Sequence, residues 1–214
     1  TQIGKECHTH CRIYHRMGEC IMPVQGVFAE VLSSGTIQTG SMMTVEFPAK
    51  DRPFTAAVIT MSDKGSKGER KDESGPAMKE GLTAAGFDVV EELILPDEKA
   101  LLKKELIRLC DQRQVSLILT SGGTGFSERD TTPEATIEVM TRNAPGIAEA
   151  IRAESMKYTK RAMLSRGASV IRGQTLIVNL PGSPKAVRES MEIILESVQH
   201  GLGILRGSES ECAR

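Results

Sequence analysis

The sequence predicts an α/β domain over residues 54–205, a three-layer α/β/α sandwich on a mainly parallel sheet. Three observations carry this. Short apolar runs alternate with amphipathic stretches through the whole segment, the pattern of successive βαβ units. Val115 to Leu119 is a short apolar run of the kind that fills a parallel strand covered on both faces. Polar loops follow four of the strands, at Ser62–Gly75, Asp97, Gly122–Asp130 and Asn179–Lys185. In open parallel sheets ligands bind beyond the carboxyl ends of the strands, where these loops would converge.

Residues 1–46 have a different character. Cys7, Cys11, Cys20, His8, His10 and His15 lie there, followed by short apolar runs punctuated by glycine. Those runs read as a small β-rich segment with tight turns. The cysteines and histidines read either as a metal site or as free thiols and surface histidines. The spacing Cys7-x3-Cys11 lacks the paired Cys-x2-Cys of common structural zinc sites. Residues 47–53 hold two prolines among alternating charges and read as a linker.

The main domain opens with a buried strand at 54–60 and a polar loop. A helix from about Pro76 turns Met78, Leu82 and Ala85 inward and stops at Gly86. A second strand covers 87–95, with Val89, Leu93 and Leu95 as buried positions. A helix over 98–113 places Leu102, Leu106, Leu109 and Cys110 on one face. The central strand and the glycine loop come next. Helices fill roughly 133–141 and 146–158, and strands near 168–172 and 175–180 meet at an Arg172-Gly173 turn. Ser183 caps and Pro184 starts the last helix, whose stripe is Val187, Met191, Ile194, Leu195, Val198 and Leu202. The domain reaches residue 207, and 208–214 read as a tail.

Composition excludes several classes. The 214 residues carry 27 basic and 28 acidic side chains, a net charge of −1, so no electrostatic footprint for nucleic acid exists. Trp is absent and aromatics are scarce, which argues against base-stacking platforms. No apolar run reaches the roughly 20 residues of a membrane helix, and no signal peptide is visible. Five cysteines in a chain of this size suggest reduced thiols and a cytoplasmic protein. Thr1 is not an initiator residue, so the expectation is a piece of something longer.

The candidate site centres on Thr120-Ser121-Gly122-Gly123-Thr124-Gly125. Three glycines in four residues allow a tight turn, close approach to a ligand, and several N–H groups pointing one way. A helix start follows, with Thr131 or Thr132 as cap, Pro133 in the first turn and Glu134 completing a capping box. Strand, glycine loop and helix start together form the layout of an anion site. The loop is neither a P-loop nor a dinucleotide fingerprint, and it reads either as a phosphate or nucleotide site or as a plain turn. Arg129 has the chemistry to clamp phosphate, and Asp130 to hold Mg²⁺. By residue type alone, Asp130 reads equally as a helix cap and Asp97 as a turn residue after Pro96.

Six pieces in order resemble the molybdopterin adenylyltransferase family of the MogA/MoaB type. They are Ser62-Asp63-x2-Ser66-x-Gly68-x3-Asp72-x-Ser74-Gly75, Pro96-Asp97, Thr120 to Gly125, Arg129-Asp130-x-Thr132-Pro133-Glu134-Ala135, Leu164-Ser165-Arg166, and Asn179-Leu180-Pro181-Gly182-x-Pro184-Lys185. The resemblance implies transfer of AMP from Mg-ATP to the phosphate of molybdopterin, with release of pyrophosphate. It implies Asp97 and Asp130 as the catalytic, Mg²⁺-associated carboxylates. Gly122, Gly123, Thr124, Gly125, Ser62, Asp63, Asp72 and Gly75 would bind nucleotide or phosphate. Ser165, Arg166, Pro181, Gly182, Ser183 and Lys185 would bind substrate. It also implies a trimer or hexamer and partners among other molybdenum-cofactor biosynthesis proteins. A non-catalytic molybdopterin-binding scaffold, or a nucleotide pyrophosphatase of related fold, are the competing readings. Residues 1–46 separately resemble the C-terminal part of a MOSC domain, through Cys20-Ile21-Met22-Pro23, Gly26 to Ala29, Val31-Leu32, Gly35-x-Ile37 and Gly40.

Overall fold

The computed structural model describes residues 2–3, 27–28, 34–36, 38 and 52–207. The chain divides into two units, Thr1–Ala49 and Lys50–Arg214. In the first, strands β1 (Gln2–Ile3) and β2 (Val27–Phe28) pair antiparallel. The cysteines and histidines of residues 1–46, most of the motif that resembles a MOSC domain, most of the linker and the tail lie outside the described residues.

The second unit is a six-stranded sheet. Its strands are β3 (Thr55–Met61), β4 (Asp88–Leu95), β5 (Leu117–Ser121), β6 (Arg142–Asn143), β7 (Ser169–Arg172) and β8 (Thr175–Leu180), in the order β4-β3-β5-β8-β7-β6. β4, β3, β5 and β8 run parallel, so their carboxyl ends share one rim. β7 returns antiparallel through a hairpin whose turn uses Gly173 at φ 59°, and β6 pairs antiparallel with it. Helices α1 (Asp63–Ser66), α2 (Ser74–Ala84), α3 (Lys99–Ile107), α4 (Thr132–Glu138), α5 (Pro145–Ser155) and α6 (Pro184–Arg206) complete the unit.

Alternation along the strands sorts the core into two halves. Ala56 and Val58 face Met78 and Leu82 of α2 and Met191 and Ile194 of α6. Ala57, Ile59 and Met61 face Leu102 and Leu106 of α3 and Ala135 of α4. That is the three-layer sandwich the sequence predicts, and its covered faces are why β5 and β8 are buried at every position. Among the described residues no helix is long and apolar enough to cross a membrane.

Several boundaries differ from expectation for physical reasons. Val89, Leu93 and Leu95 are only half-buried, because β4 is an edge strand, and a register slip between Ala56 and Ala57 leaves Val90 without an opposite residue. The expected helix over 98–113 is α3 followed by a π turn at Arg108–Gln112, which keeps Leu109 and Cys110 buried; Gln114, at φ 51°, then reverses the chain. Thr120 and Ser121 belong to β5 and not to the loop. They tolerate burial because Thr120 Oγ1 accepts from Asn179 Nδ2 (2.9 Å) and Ser121 Oγ donates to the Pro181 carbonyl (2.9 Å). The one-turn α1, the short β6 and a 3₁₀ turn at Lys160–Leu164 are additions to the predicted order. α6 follows the prediction closely: Ser183 Oγ accepts from Ala186 N (3.2 Å), the stripe is inward apart from a half-buried Leu195, and Gly207 ends it at φ 70°.

Asn179 ties the middle of the fold together. Its Nδ2 also donates to Thr136 Oγ1 of α4 (2.9 Å), and its Oδ1 accepts from Ala168 N (3.1 Å). Asn179→Leu leaves one N–H and two hydroxyls buried without that partner. A loss of about 3 kcal/mol is expected, seen as a lower urea midpoint at unchanged slope. Burial also pushes the Cys110 thiol up to about 11, so at pH 8 only about one molecule in a thousand carries the thiolate. Cys110 should resist maleimide in the native protein and react once unfolded, as mass-spectrometric peptide mapping would show.

Candidate functional site

The site begins where the chain parts company with itself. After β3 the chain turns to β4 on one side; after β5 it continues towards α4 and the opposite half of the sheet. The crevice between these exits is the topological switch point, where open α/β sheets bind ligands. A cleft of about 260 Å³ opens there, lined from all four parallel strand ends by residues that include Ser62, Asp72, Asp97, Gly123, Asp130 and Gly182.

The glycine loop meets the cleft at Gly123 and supports its floor from beneath, Gly122, Thr124 and Gly125 lying outside the lining, and here glycine is required. Gly122 sits at φ 97°, and a Cβ would lie 2.5 Å from the Met61 carbonyl oxygen. Gly123 sits at φ 64°, and its Cβ would lie 2.3 Å from Thr132 Oγ1. Among the described residues the N–H groups of Gly123, Thr124 and Gly125 donate to no acceptor. Three free backbone donors on a close-packed turn suit an anion.

Carboxylates flank the floor. Asp97 Oδ1 stands 3.6 Å from the Cβ position over Gly123, and Asp130 Oδ2 stands 2.9 Å from that over Gly125. Asp63 and Asp97 bond reciprocally, each backbone N–H donating to the other's carboxylate at 3.1 Å. Arg129 Nη2 reaches both oxygens of Asp63, at 2.5 and 2.7 Å, and holds that carboxyl below its ordinary range. Arg129 is therefore paired within the protein and is not the free phosphate clamp its type suggests. Asp97 moves the other way: burial raises its pKa, and the charges of Asp63 and Asp130 add to that. Asp130 accepts from Ser127 N (2.9 Å) and donates its own N–H to Ser127 O (2.9 Å), closing a turn of its own. Neither it nor Thr131 caps α4 through a side chain, and the expected capping box does not form, because Glu134 pairs with Arg166.

Other predicted residues shape the walls. Ser62 Oγ caps α1 by accepting from Gly65 N (3.0 Å). Asp72 Oδ1 accepts from Ser74 N and Gly75 N at the start of α2, and Oδ2 accepts from Thr60 Oγ1 (2.9 Å). Gly75 packs so close that a Cβ would lie 2.3 Å from Asp72 Oδ2. Arg166 braces the floor: Nε donates to the Gly125 carbonyl (2.6 Å), Nη2 to the Asp130 carbonyl, and Nη1 pairs with Glu134. Thr124 is buried, and its carbonyl accepts from Arg166 N (2.9 Å). Arg166 also lines a second hollow of about 410 Å³ on the far side of Asp130, with Phe126 and Glu134. Ser165 Oγ accepts from Gly167 N (3.3 Å) and lines neither hollow. Pro181 and Gly182 lie against the floor, with Gly182's Cβ position 3.4 Å from Gly122 Cα. Ser183 serves as the α6 cap. Lys185 stays outside the cleft, its side chain 86% exposed and 3.8 Å from Glu189. Ser74 and Ser121 of the quoted motifs line the cleft too; residue reasoning passed over Thr60, Arg70 and Lys71, which also line it. The basic pair Arg70-Lys71 directly before Asp72 was the available signal.

Among the described residues no group of three or more metal-ligating side chains gathers. A hard divalent cation shared with phosphates needs only one or two carboxylates, and Asp97 and Asp130 fit that demand.

Because its folded pKa is raised, Asp97 favours the fold below its unfolded pKa, and that contribution is lost as pH rises through the folded value. At pH 7 the ionised carboxylate therefore costs stability. Asp97→Asn should raise the thermal midpoint at pH 7, and the gain should shrink as the pH is taken below 4; a lower midpoint at pH 7 would refute this.

Residues 57–200 match the family model described as a probable molybdopterin binding domain. The chain is 40% identical over 153 residues to the molybdopterin adenylyltransferase of Helicobacter pylori, covering 71% of this chain and 87% of that protein. The molybdopterin biosynthesis enzyme MoaB of Thermus thermophilus superposes with a TM-score of 0.69 at 45% identity, covering 72% of this chain and 97% of that one. The tungsten cofactor synthesizing protein MoaB of Pyrococcus furiosus gives 0.64 at 36% identity, covering 72% and 98%. With the fold, the glycine floor and these relatives in agreement, the chain belongs to the molybdopterin-binding domain family of molybdenum-cofactor biosynthesis, of the MogA/MoaB type.

Proposed function

We propose that this domain transfers AMP from Mg-ATP to the terminal phosphate of molybdopterin, giving adenylyl-molybdopterin and pyrophosphate. The observation that carries the reading is the row of free N–H groups at Gly123–Gly125 between the carboxylates of Asp97 and Asp130. In the transfer a phosphate oxygen of molybdopterin attacks the α-phosphorus. A new P–O bond forms as the bond to the α–β bridging oxygen breaks, and that electron pair leaves with pyrophosphate. The nucleophile is already an anion, so no protein nucleophile is required; positioning and charge stabilisation are the protein's share.

The chain's residues divide that share. The Gly123–Gly125 donors hold phosphate oxygens, and Gly122 sets the turn that aims them. Asp97 and Asp130 would hold Mg²⁺ together with the nucleotide phosphates, and bound there it supplies neutralising charge. Asp63, locked by Arg129, fixes the position of Asp97. Arg166 fixes the Gly125 and Asp130 carbonyls, and the hollow it lines with Phe126 is the proposed molybdopterin side. Ser165, directly after the 3₁₀ turn, supports that side. Ser62, Asp72 and Gly75 shape the wall opposite, and Pro181, Gly182 and Ser183 close the end. A trimeric or hexameric, cytoplasmic assembly working beside other molybdenum-cofactor biosynthesis proteins completes the proposal. Exposed Phe126, Tyr158 and Met163 offer apolar surface for it. Residues 1–46 are read as a partial MOSC-like segment.

The test is pyrophosphate release from Mg-ATP with and without molybdopterin. Release that requires molybdopterin and yields the adenylylated product is expected. Asp97→Ala and Asp130→Ala should each lower the rate about 100-fold or more. ATP turnover without pterin would replace the proposal with a hydrolase, and molybdopterin binding without turnover would replace it with a carrier.

A further inference from the structure

The cleft carries a charge problem that the floor alone does not solve. Its lining holds the carboxylates of Asp72, Glu73, Asp97 and Asp130. Asp72 is partnered by a hydroxyl and two backbone N–H groups, but the others leave the cleft a poor host for a polyphosphate. Three nearby cations are engaged elsewhere. Arg129 is bonded to both oxygens of Asp63, and Lys185 lies outside the lining beside Glu189. Arg166 is taken up by Gly125, Asp130 and Glu134.

Arg70 and Lys71 are the basic side chains in the lining of this cleft. Both are exposed, and among the described residues neither forms an ion pair or side-chain hydrogen bond. They precede Asp72, whose carboxylate fixes the start of α2, so their backbone is anchored within two residues while their side chains stay free. The cleft therefore sets two uncommitted cations, one of them a fork suited to paired phosphate oxygens, in one lining with Asp97 and Asp130.

We infer that Arg70 and Lys71 are positioning residues for the terminal phosphates of the nucleotide, and that they hold the same groups as the pyrophosphate product. The inference rests on the adenylyl-transfer reading and deepens it. It assigns the β and γ phosphates to the 70–71 side of the cleft. The α-phosphate is left to the glycine floor.

The test uses the full chain and two readouts. Pyrophosphate binding with Mg²⁺ is measured by titration calorimetry, and ATP kinetics with molybdopterin in excess. Arg70→Ala/Lys71→Ala should weaken pyrophosphate binding and raise KM for ATP by about tenfold or more, the loss of one or more charge-assisted bonds, with a smaller effect on kcat. The charge-keeping Arg70→Lys/Lys71→Arg protein should recover much of the pyrophosphate affinity, which a folding defect would not. Equal pyrophosphate affinity in wild type and the double alanine protein would overturn the inference, even if transfer proceeds. Absence of molybdopterin-dependent pyrophosphate release from the wild type would instead sink the transfer reading, and it leaves the calorimetric comparison intact.

Discussion

The structure depends on one close approach, that of the β5 exit to the β3 exit. Gly122 lies so near the Met61 carbonyl that no side chain fits between them. This lets two neighbouring parallel strands release their chains in opposite directions without a gap at the fork. The crevice, the row of free N–H groups and the nearness of Asp97 to Gly123 all follow from it. A Cβ at this position would separate the strands' exits, and the carboxylates would lose the surface they flank.

Electrostatics then sets the tension in the site. Asp63, Asp97 and Asp130 are close enough to repel; Arg129 is bonded to the first and only offsets the second in part, through its charge. Burial and these like charges raise the Asp97 pKa, so its ionised form stands against its environment. Such an arrangement is a standing demand for positive charge, met by whatever cation or cationic side chain enters with the ligand. The folded state accepts that unfavourable term because the sheet and its two apolar layers are built elsewhere, away from the rim.

The layers were legible in the sequence because they are written in period. The α6 stripe and the continuous apolar run of β5 have one plausible packing each. The glycine floor was legible because Gly122 and Gly123 occupy backbone conformations that other residues resist. What escaped was pairing between distant residues. That Arg129 answers Asp63, 66 positions away, and Arg166 answers Glu134, 32 positions away, cannot be read from local pattern. The capping box at Thr131–Glu134 failed for that reason: a local rule lost to a tertiary ion pair. The π turn at 108–112 escaped likewise, since Arg108 is held by Glu91 on the edge strand.

The walls of the cleft meet through main-chain carbonyls. Ser74 Oγ donates to the Gly182 carbonyl and Ser121 Oγ to that of Pro181, so the start of α2 and the end of β5 are each joined to the turn before α6 by a hydroxyl-to-backbone link. A carbonyl is present whatever residue bears it. The floor plan therefore depends on the two serines, on Asp72 and Arg166, and on the glycines, and it survives exchange of the other rim side chains. Such a scaffold leaves wide latitude for changing what the rim recognises, by drift or by engineering, while the glycine floor beneath it stays the same.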